Sequence, residues 1–390
     1  MTVRLYHDDS FLREFSARVV AHGAWKGKPS VILDRTGFYP EAGGQMADRG
    51  VLGGAAVSDV QADDDGTIHH ILDGDLPAID AEVTGSIEWA RRRIHMAQHT
   101  GQHMLSAALV QAANAPTASA RLGDTACTID VTRDRIPELE LARAEELANA
   151  IIDDDLAIRA WFPAPDELAT LALRREPKVD VHIRVIAIGD FDLSPCGGTH
   201  CARTAQVGSL RILGAERYKG MTRVTFAAGS RARAELAARD AALRTLAASL
   251  TCAPAEVPIA VDKLRRDLAS ARDSLKEGRA RLASLTADAL AAGDGPVVAS
   301  IAGDVELLRA IAAALYDKGR DALLAAATPD GTAVLLMRAP GSALDCGAVL
   351  GALAKQTGGR GGGRPERAEG RLPASAANEW AALIAATLNA

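Results

Sequence analysis

Cysteine is scarce: the 390-residue chain carries five, Cys127, Cys196, Cys201, Cys252 and Cys346. A set so small, odd in number and scattered does not lay out a disulfide framework, and it fits a reducing, cytoplasmic compartment. Excess positive charge is missing too. The formal net charge is -6 and the pI about 5.9, which excludes a generally basic nucleic-acid binder and leaves any RNA contact to local patches. No apolar run approaches a membrane span, and the opening MTVRLYHDDSFL has neither the basic start nor the apolar stretch of a secretory signal, so a soluble protein is expected. Three catalytic signatures are also absent. Thr100 stands where a zinc peptidase would carry glutamate after its first histidine, so HTGQH lacks that enzyme's general base. The glycine-arginine stretch 358–373, expected as a loop whose backbone and guanidinium groups can meet phosphates, lacks the Lys-Ser/Thr ending of a nucleotide-hydrolysing loop. Ser194 has no G-x-S-x-G context.

What is present is a hydrophobic content of 48%, enough for a sizeable core divided among two to four domains. Residues 1–88 alternate short apolar runs with Gly, Asp and Pro, the pattern of a small β-barrel-like domain. Its exception is TGFYPEAGGQMADRG (36–50), where Gly43 and Gly44 permit close backbone approach and Gln45 offers an amide. Residues 89–229 open with a helix from Trp89, continue through a turn and strand at TASARLGDTACTIDV (117–131), a second helix over 137–153 and a strand over 179–192, and close with two strands over 207–229. Residues 230–293 place Leu264, Leu268, Leu275, Leu282 and Leu285 at coiled-coil spacing, a helical hairpin broken by CAPAEVP and able to pair with a second copy of the chain. Residues 294–390 alternate strand and helix as an α/β unit. The expected fold class is α+β.

Chemistry concentrates in HTGQH (99–103) and CGGTH (196–200). Each pair is spaced i, i+4, which on a helix stacks both side chains on one face. Imidazole and thiolate are zinc donors, so His99, His103, Cys196 and His200 are the candidate ligands of one Zn2+ site. Four fixed ligands make a structural site and an exchangeable position makes a catalytic one; spacing leaves both open. His95 reads as a surface residue or a support behind the ligands, Cys201 as an unreactive thiol, and Asp190 and Asp192 as acids close to the metal. Arg91 to Arg93, Arg217, Lys219 and Arg223 are weighed as phosphate contacts against ordinary solvated charge.

HTGQH with SPCGGTH, preceded by TGFYPEAGGQMADRG and followed by RTAQVGSLRIL and KGMTRVTFAAG, resembles the editing domain of alanyl-tRNA synthetase and its freestanding relatives, the AlaX proteins. GGRGGGRPERAEG is similar to the glycine-rich stretch of the C-terminal C-Ala domain, so the resemblance is to the long form. It implies a zinc editing domain that deacylates seryl-tRNA(Ala), with glycyl-tRNA(Ala) as a further substrate. It implies Thr36, Gln45 and Ser119 as catalytic residues, with Thr36 reading the serine hydroxyl and Gly43 and Gly44 binding substrate. It also implies tRNA contact by Arg360, Arg364 and Arg367. A non-catalytic zinc-stabilised tRNA-binding protein is the alternative of another class.

Overall fold

In the computed structural model, which describes residues 2–177 and 182–388, buried and exposed positions alternate along the strand Glu14–Trp25, the period of a strand with one face on a core. The N-terminal strands are β1 (Val3–Arg4), β2 (Glu14–Trp25), β3 (Lys28–Leu33), β4 (Arg35–Thr36), β5 (Gly50–Leu52), β6 (Ala55–Ala62), β7 (Ile68–Asp73) and β8 (Glu82–Ile87). Six close into a barrel in the order β2-β3-β7-β6-β5-β8, so that set has no free edge. Val19, Leu33, Phe38, Leu52, Val60 and Ile68 fill it.

Helix α1 (Trp89–Ala113) is buried almost all round from His95 to Leu109, which makes it the centre of the next layer. It ends at Asn114, whose φ of 45° closes the helix in the left-handed region. Around it lie β9 (Thr117–Leu122), β10 (Cys127–Val131), α2 (Glu138–Asp153), β11 (Ile158–Trp161), α3 (Pro165–Leu168), β12 (Val185–Ile188), β13 (Asp192–Pro195), β14 (Leu210–Tyr218) and β15 (Met221–Ala228). They form two sheets, β14-β15-β10-β9 and β11-β12-β13. TASARLGDTACTIDV is therefore a hairpin of two strands rather than one strand after a turn, because the polar residues between Leu122 and Cys127 reverse the chain. The strand expected over 179–192 begins in residues outside those described; β12 starts at Val185, and Gly189, with φ of 47°, turns the chain back into β13. The short β11 and α3 carry too few residues for a periodic signal.

Helices α4 (Ser230–Ser249) and α5 (Val257–Leu290) are separated by a 3-10 turn at Pro254–Glu256. The chain forms two compact units, Met1–Thr245 and Leu246–Ala390. In the second, α5 is followed by β16 (Val297–Ser300), α6 (Val305–Asp317), β17 (Ala322–Thr328), β18 (Gly331–Met337), α7 (Cys346–Thr357), β19 (Arg360–Arg364), β20 (Arg367–Leu372) and α8 (Trp380–Leu388). Alternate residues of β17 and β18 face opposite ways: Leu324 and Leu335 pack on α5 and α6, Leu323 and Leu336 on α7 and α8. The glycine-arginine stretch, expected as a loop, is the hairpin β19–β20 at the end of this sheet. Glycines on both sides let α7 come close: a Cβ at Gly361 of the hairpin would lie 2.9 Å from Leu350 of α7, and one at Gly347 of α7 3.0 Å from the Gly363 carbonyl. The mixed α+β class is as expected. Leu264, Leu268, Leu275, Leu282 and Leu285 are exposed on this chain.

Candidate metal centre

The α1 turn from His99 to His103 and the loop after β13 bring four side chains together. His99, His103, Cys196 and His200 are all buried, and their candidate ligand atoms lie within 4.8 Å of one another. Nε2 of His99 and Nε2 of His200 each sit 3.4 Å from the Cys196 Sγ. Cys196 to His200 is irregular backbone, not helix, so its i, i+4 spacing is met by a folded-back loop. Gly198 permits this, because a Cβ there would overlap the His99 ring.

Each imidazole is held from behind. His99 Nδ1 donates to Gln45 Oε1 at 2.7 Å, and His103 Nδ1 donates to Asp192 Oδ2 at 3.2 Å. His200 Nδ1 lies 3.2 Å from Thr100 Oγ1. Protons fixed on Nδ1 of His99 and His103 leave their Nε2 lone pairs for the centre, the arrangement that orients metal ligands. Gln45 is held in turn: Thr199 N donates to its Oε1 at 3.2 Å and its Nε2 donates to Thr199 Oγ1 at 2.9 Å. Asp192 also receives Arg174 Nε at 2.6 Å and Ser194 Oγ at 3.1 Å.

Charge follows the same pattern. Burial raises the Asp192 pKa, but hydrogen bonds from His103 and Arg174 outweigh it and hold the group at about 2. Burial likewise opposes the Cys196 thiolate, yet His99 and His103 carry its pKa well below the usual thiol range. Burial pushes the Cys201 thiol up to about 11. Three nitrogens and one low-pKa sulfur on buried, oriented side chains suit a tetrahedral zinc ion.

A cavity of about 350 Å³ opens beside Cys196, with His7, Tyr39, Gly43, Arg184 and Gly197 in its wall. A larger groove, about 880 Å³, runs along α2 and β14 and contains none of the four ligands. Gly43 lines the cavity; Gly44, with φ of 87°, packs against the Ala120 carbonyl of β9. Gln45 is fully buried and its amide is spent on His99 and Thr199, so its contact is with His99 rather than with the cavity. Thr36 is also fully buried: its Oγ1 lies 2.8 Å from His70 Nε2 and accepts from Phe38 N at 3.1 Å. Ser119 is on β9, donates to Asp130 Oδ2 at 2.9 Å and is not among the cavity-lining residues. Asp192 reaches the site whereas Asp190 is exposed, and His95, read as a surface residue or support, is buried beside Asp124 at 3.8 Å. Arg217 and Arg223 are paired with Asp134 and Asp130. Arg360, Arg364 and Arg367 are exposed on β19–β20 in the other unit; Arg367 is paired with Glu369.

Sequence reading missed the ion pair that fastens the 36–50 loop to α1. Arg92, fully buried, donates from Nε to Asp48 Oδ1 at 3.0 Å, from Nη2 to the Gly37 carbonyl at 2.7 Å, and from Nη1 to the Ser10 carbonyl at 2.9 Å. Asp48 Oδ2 accepts from Tyr39 N at 2.6 Å. It also missed Arg184, which ties the carbonyls of His7 and Gly198 together. Neither has a local sequence signal.

Residues 183–225, which include Cys196 and His200, match the family described as "Threonyl and Alanyl tRNA synthetase second additional domain". The chain is 30% identical to the alanyl-tRNA editing protein AlaX-L of Pyrococcus horikoshii, over 96% of this chain and 95% of that one. It is 34% identical to the alanine–tRNA ligase of Halobacterium salinarum over 92% of this chain, and 32% identical to that of Ignicoccus hospitalis over 94%. In both comparisons it spans 41% of the ligase.

Proposed function

We propose, because this chain belongs to the AlaX-L family of alanyl-tRNA editing proteins, that it is a zinc-dependent deacylase of seryl-tRNA(Ala), and of glycyl-tRNA(Ala) as a second substrate. The observation that carries the reading is the oriented donor set beside a cavity: four buried ligands, their imidazoles held by Gln45, Asp192 and Thr100, with Cys196 in the cavity wall. The need is physical. A binding pocket rejects a missing methyl or an added hydroxyl weakly, so a second site must destroy the wrong ester.

In the reaction, water adds to the acyl carbon, the bond to the ribose oxygen breaks, and a proton returns to that oxygen, releasing serine and free tRNA. A bound zinc ion would supply Lewis acidity to the ester or the attacking water. Gln45 and Asp192 hold the tautomers of His99 and His103, and the Gly197–Gly198 backbone leaves room for the acyl group. The family resemblance assigns serine recognition to Thr36. Its position supports action from behind the wall, through the Phe38–Tyr39 backbone that it and Asp48 fix. Ser119, on the strand against which Gly44 packs, supports the same loop. We further assign residues 1–88 to the barrel, 89–229 to the editing domain, 230–293 to a helical linker whose exposed leucines pair with a second copy, and 294–390 to tRNA binding through Arg360, Arg364 and Arg367.

The test is deacylation of Ser-, Gly- and Ala-tRNA(Ala) with and without chelator, beside the zinc content of Cys196→Ala. Loss of the serine ester, retention of the alanine ester, and loss of both zinc and activity in the variant are expected. An intact serine ester with zinc bound would make the protein a non-catalytic zinc-stabilised tRNA binder. Full zinc and full rate in Cys196→Ala would remove the metal assignment.

A further inference from the structure

Two arginines stand among the buried residues of the structure, Arg92 and Arg184. Arg92 has Asp48 as its counter-ion. Arg184, 5% exposed, donates to backbone carbonyls and to no carboxylate among the described residues, and its Nε is buried without a partner. A buried guanidinium held by neutral carbonyls is costly, so stability alone does not account for its place.

What Arg184 holds is the loop that carries Cys196. Its main-chain carbonyl accepts from Cys196 N at 2.9 Å. Its side chain grips the other side of the same residue: Nη1 donates to the Cys196 carbonyl at 3.3 Å and to the Gly198 carbonyl at 2.8 Å, while Nη2 donates to the His7 carbonyl at 3.1 Å. One residue therefore fixes the peptide groups on both sides of the Cys196 Cα. The loop needs such a hold, because Gly197 and Gly198 follow directly and have no side chains to pack. The three candidate histidine ligands are held differently, each through its own ring, by Gln45, Asp192 or Thr100. A sulfur has no second atom to be held by. Beyond the imidazoles it meets the Gly198 N–H at 3.4 Å, which belongs to the same loop, so its direction depends on where the backbone is pinned. Charge agrees with the geometry: burial works against the Arg184 cation, and Cys196 is foremost among the groups that favour it.

We infer that Arg184 is the positioning residue of the Cys196 ligand, its guanidinium fork fixing the 196–198 loop so that the sulfur points at the three imidazoles. The inference rests on the zinc deacylase reading above and deepens it by assigning the support of the fourth ligand. A planar fork meets carbonyls on the loop and on the N-terminal segment at fixed angles, and its bonds are charge-assisted; an ammonium on a flexible stem keeps the charge without the angles.

The experiment measures zinc affinity by chelator competition, and the absorption spectrum of the cobalt-loaded protein, for the full chain, Arg184→Met and Arg184→Lys. Met replaces the buried cation by an apolar chain and should leave the metal-free fold intact. Lys retains the charge and serves as the second variant where Met does not fold. Zinc affinity should fall about 10- to 100-fold in Arg184→Met, and by less in Arg184→Lys. The sulfur-to-cobalt absorption band should weaken in both, a change that a merely structural tie would not produce. With Ser-tRNA(Ala) at saturating zinc, both should lose kcat with little change in KM. Unchanged zinc affinity and an unchanged sulfur-to-cobalt band in the folded variants overturn the inference. So does a rise in KM alone, which would make Arg184 a substrate contact. Weakened metal binding in the variants of a chain that deacylates nothing would keep the positioning role and overturn the proposed activity. An unaltered chain that takes up neither zinc nor cobalt overturns both.

Discussion

The Met1–Thr245 unit buries arginine, histidine, aspartate and glutamine, whereas among the described residues of the Leu246–Ala390 unit Thr332 is the one buried polar side chain. The second unit packs Leu, Ile, Val and Ala on both faces of its sheet, and the indole of Trp380 donates to the Leu323 carbonyl at 2.9 Å. All nine histidines lie in the first unit. Buried polar groups cost stability unless each is paired, and an apolar core gives stability at lower risk. A unit that keeps so many of them is holding geometry, and here the geometry held is that of the four candidate ligands, His99, His103, Cys196 and His200. The second unit can keep its arginines in water, where they are free to meet another charged molecule.

The largest effect should come from breaking the buried pair. Asp48→Ala leaves Arg92 charged and unpaired, and should cost about 3–5 kcal/mol. Leu324→Ala in the other unit should cost about 2–5 kcal/mol by cavity formation alone. The comparison is sharpened by the double variant Asp48→Leu/Arg92→Met. It should recover most of the stability in urea unfolding yet remain slow in deacylation, because the Tyr39 and Gly37 backbone anchors are gone. A fully active double variant would show that the pair serves stability alone and that buried polarity in this unit is not tied to the site.

Next in size is Gln45→Ala. Without its Oε1 the His99 Nδ1 proton has no acceptor, and zinc affinity in a chelator competition should fall about 10- to 100-fold. The metal-free fold should change little beside Asp48→Ala. Unaltered zinc affinity would mean that the ring is oriented by packing alone.

These partners mark where sequence reading stops. The helix carrying His99 and His103 was legible because apolar residues repeat along it, and the i, i+4 histidines share its inner face. The CGGTH loop was legible as a ligand pair from residue type, although its spacing is met by irregular backbone rather than a helix. Gln45 with His99, Asp48 with Arg92, and Arg184 with the His7 carbonyl join residues 54, 44 and 177 positions apart. No periodicity encodes such pairings; they exist only once the barrel, α1 and β12 have packed. The hairpin β19–β20 was misread for another reason. Its glycines look like loop residues, but Gly361 and Gly370 lie against Leu350 of α7, and Gly363 lies against Arg367 and Ala368 on the paired strand.

A third effect separates the units by pH. Burial lowers the pKa of His70 to about 4, against 6.5 unfolded, and burial with Arg91 does the same to His95. The unfolded chain therefore takes up these protons first. Their neutral forms support stability fully above pH 6.5, and that support declines as pH falls toward 4, by up to about 1.4 kcal/mol per pH unit for each histidine. The second unit has no histidine and should show no such decline over this range. Hydrogen exchange of β7 and β17 between pH 7 and 4.5 reads the two separately, and His70→Leu should flatten the first slope. Equal slopes in both units would break the comparison.

The smallest effect on the fold belongs to the arginines of β19. Arg360 and Arg364 have no ion-pair partner among the described residues and are exposed, so changing either to Gln should leave stability within about 0.5 kcal/mol. Binding of tRNA should respond nonetheless: each phosphate deprived of its arginine lowers the slope of log affinity against log salt by about 0.7 to 0.9. Arg367, already paired with Glu369, should contribute less than either. Fluorescence titrations with tRNA(Ala) between 50 and 200 mM salt measure this, and unchanged slopes would remove the hairpin from the RNA surface. Arginine thus has opposite fates in the two units. Buried at position 92, it should dominate stability through geometry; exposed at 360 and 364, it should leave the fold alone and act only through its charge.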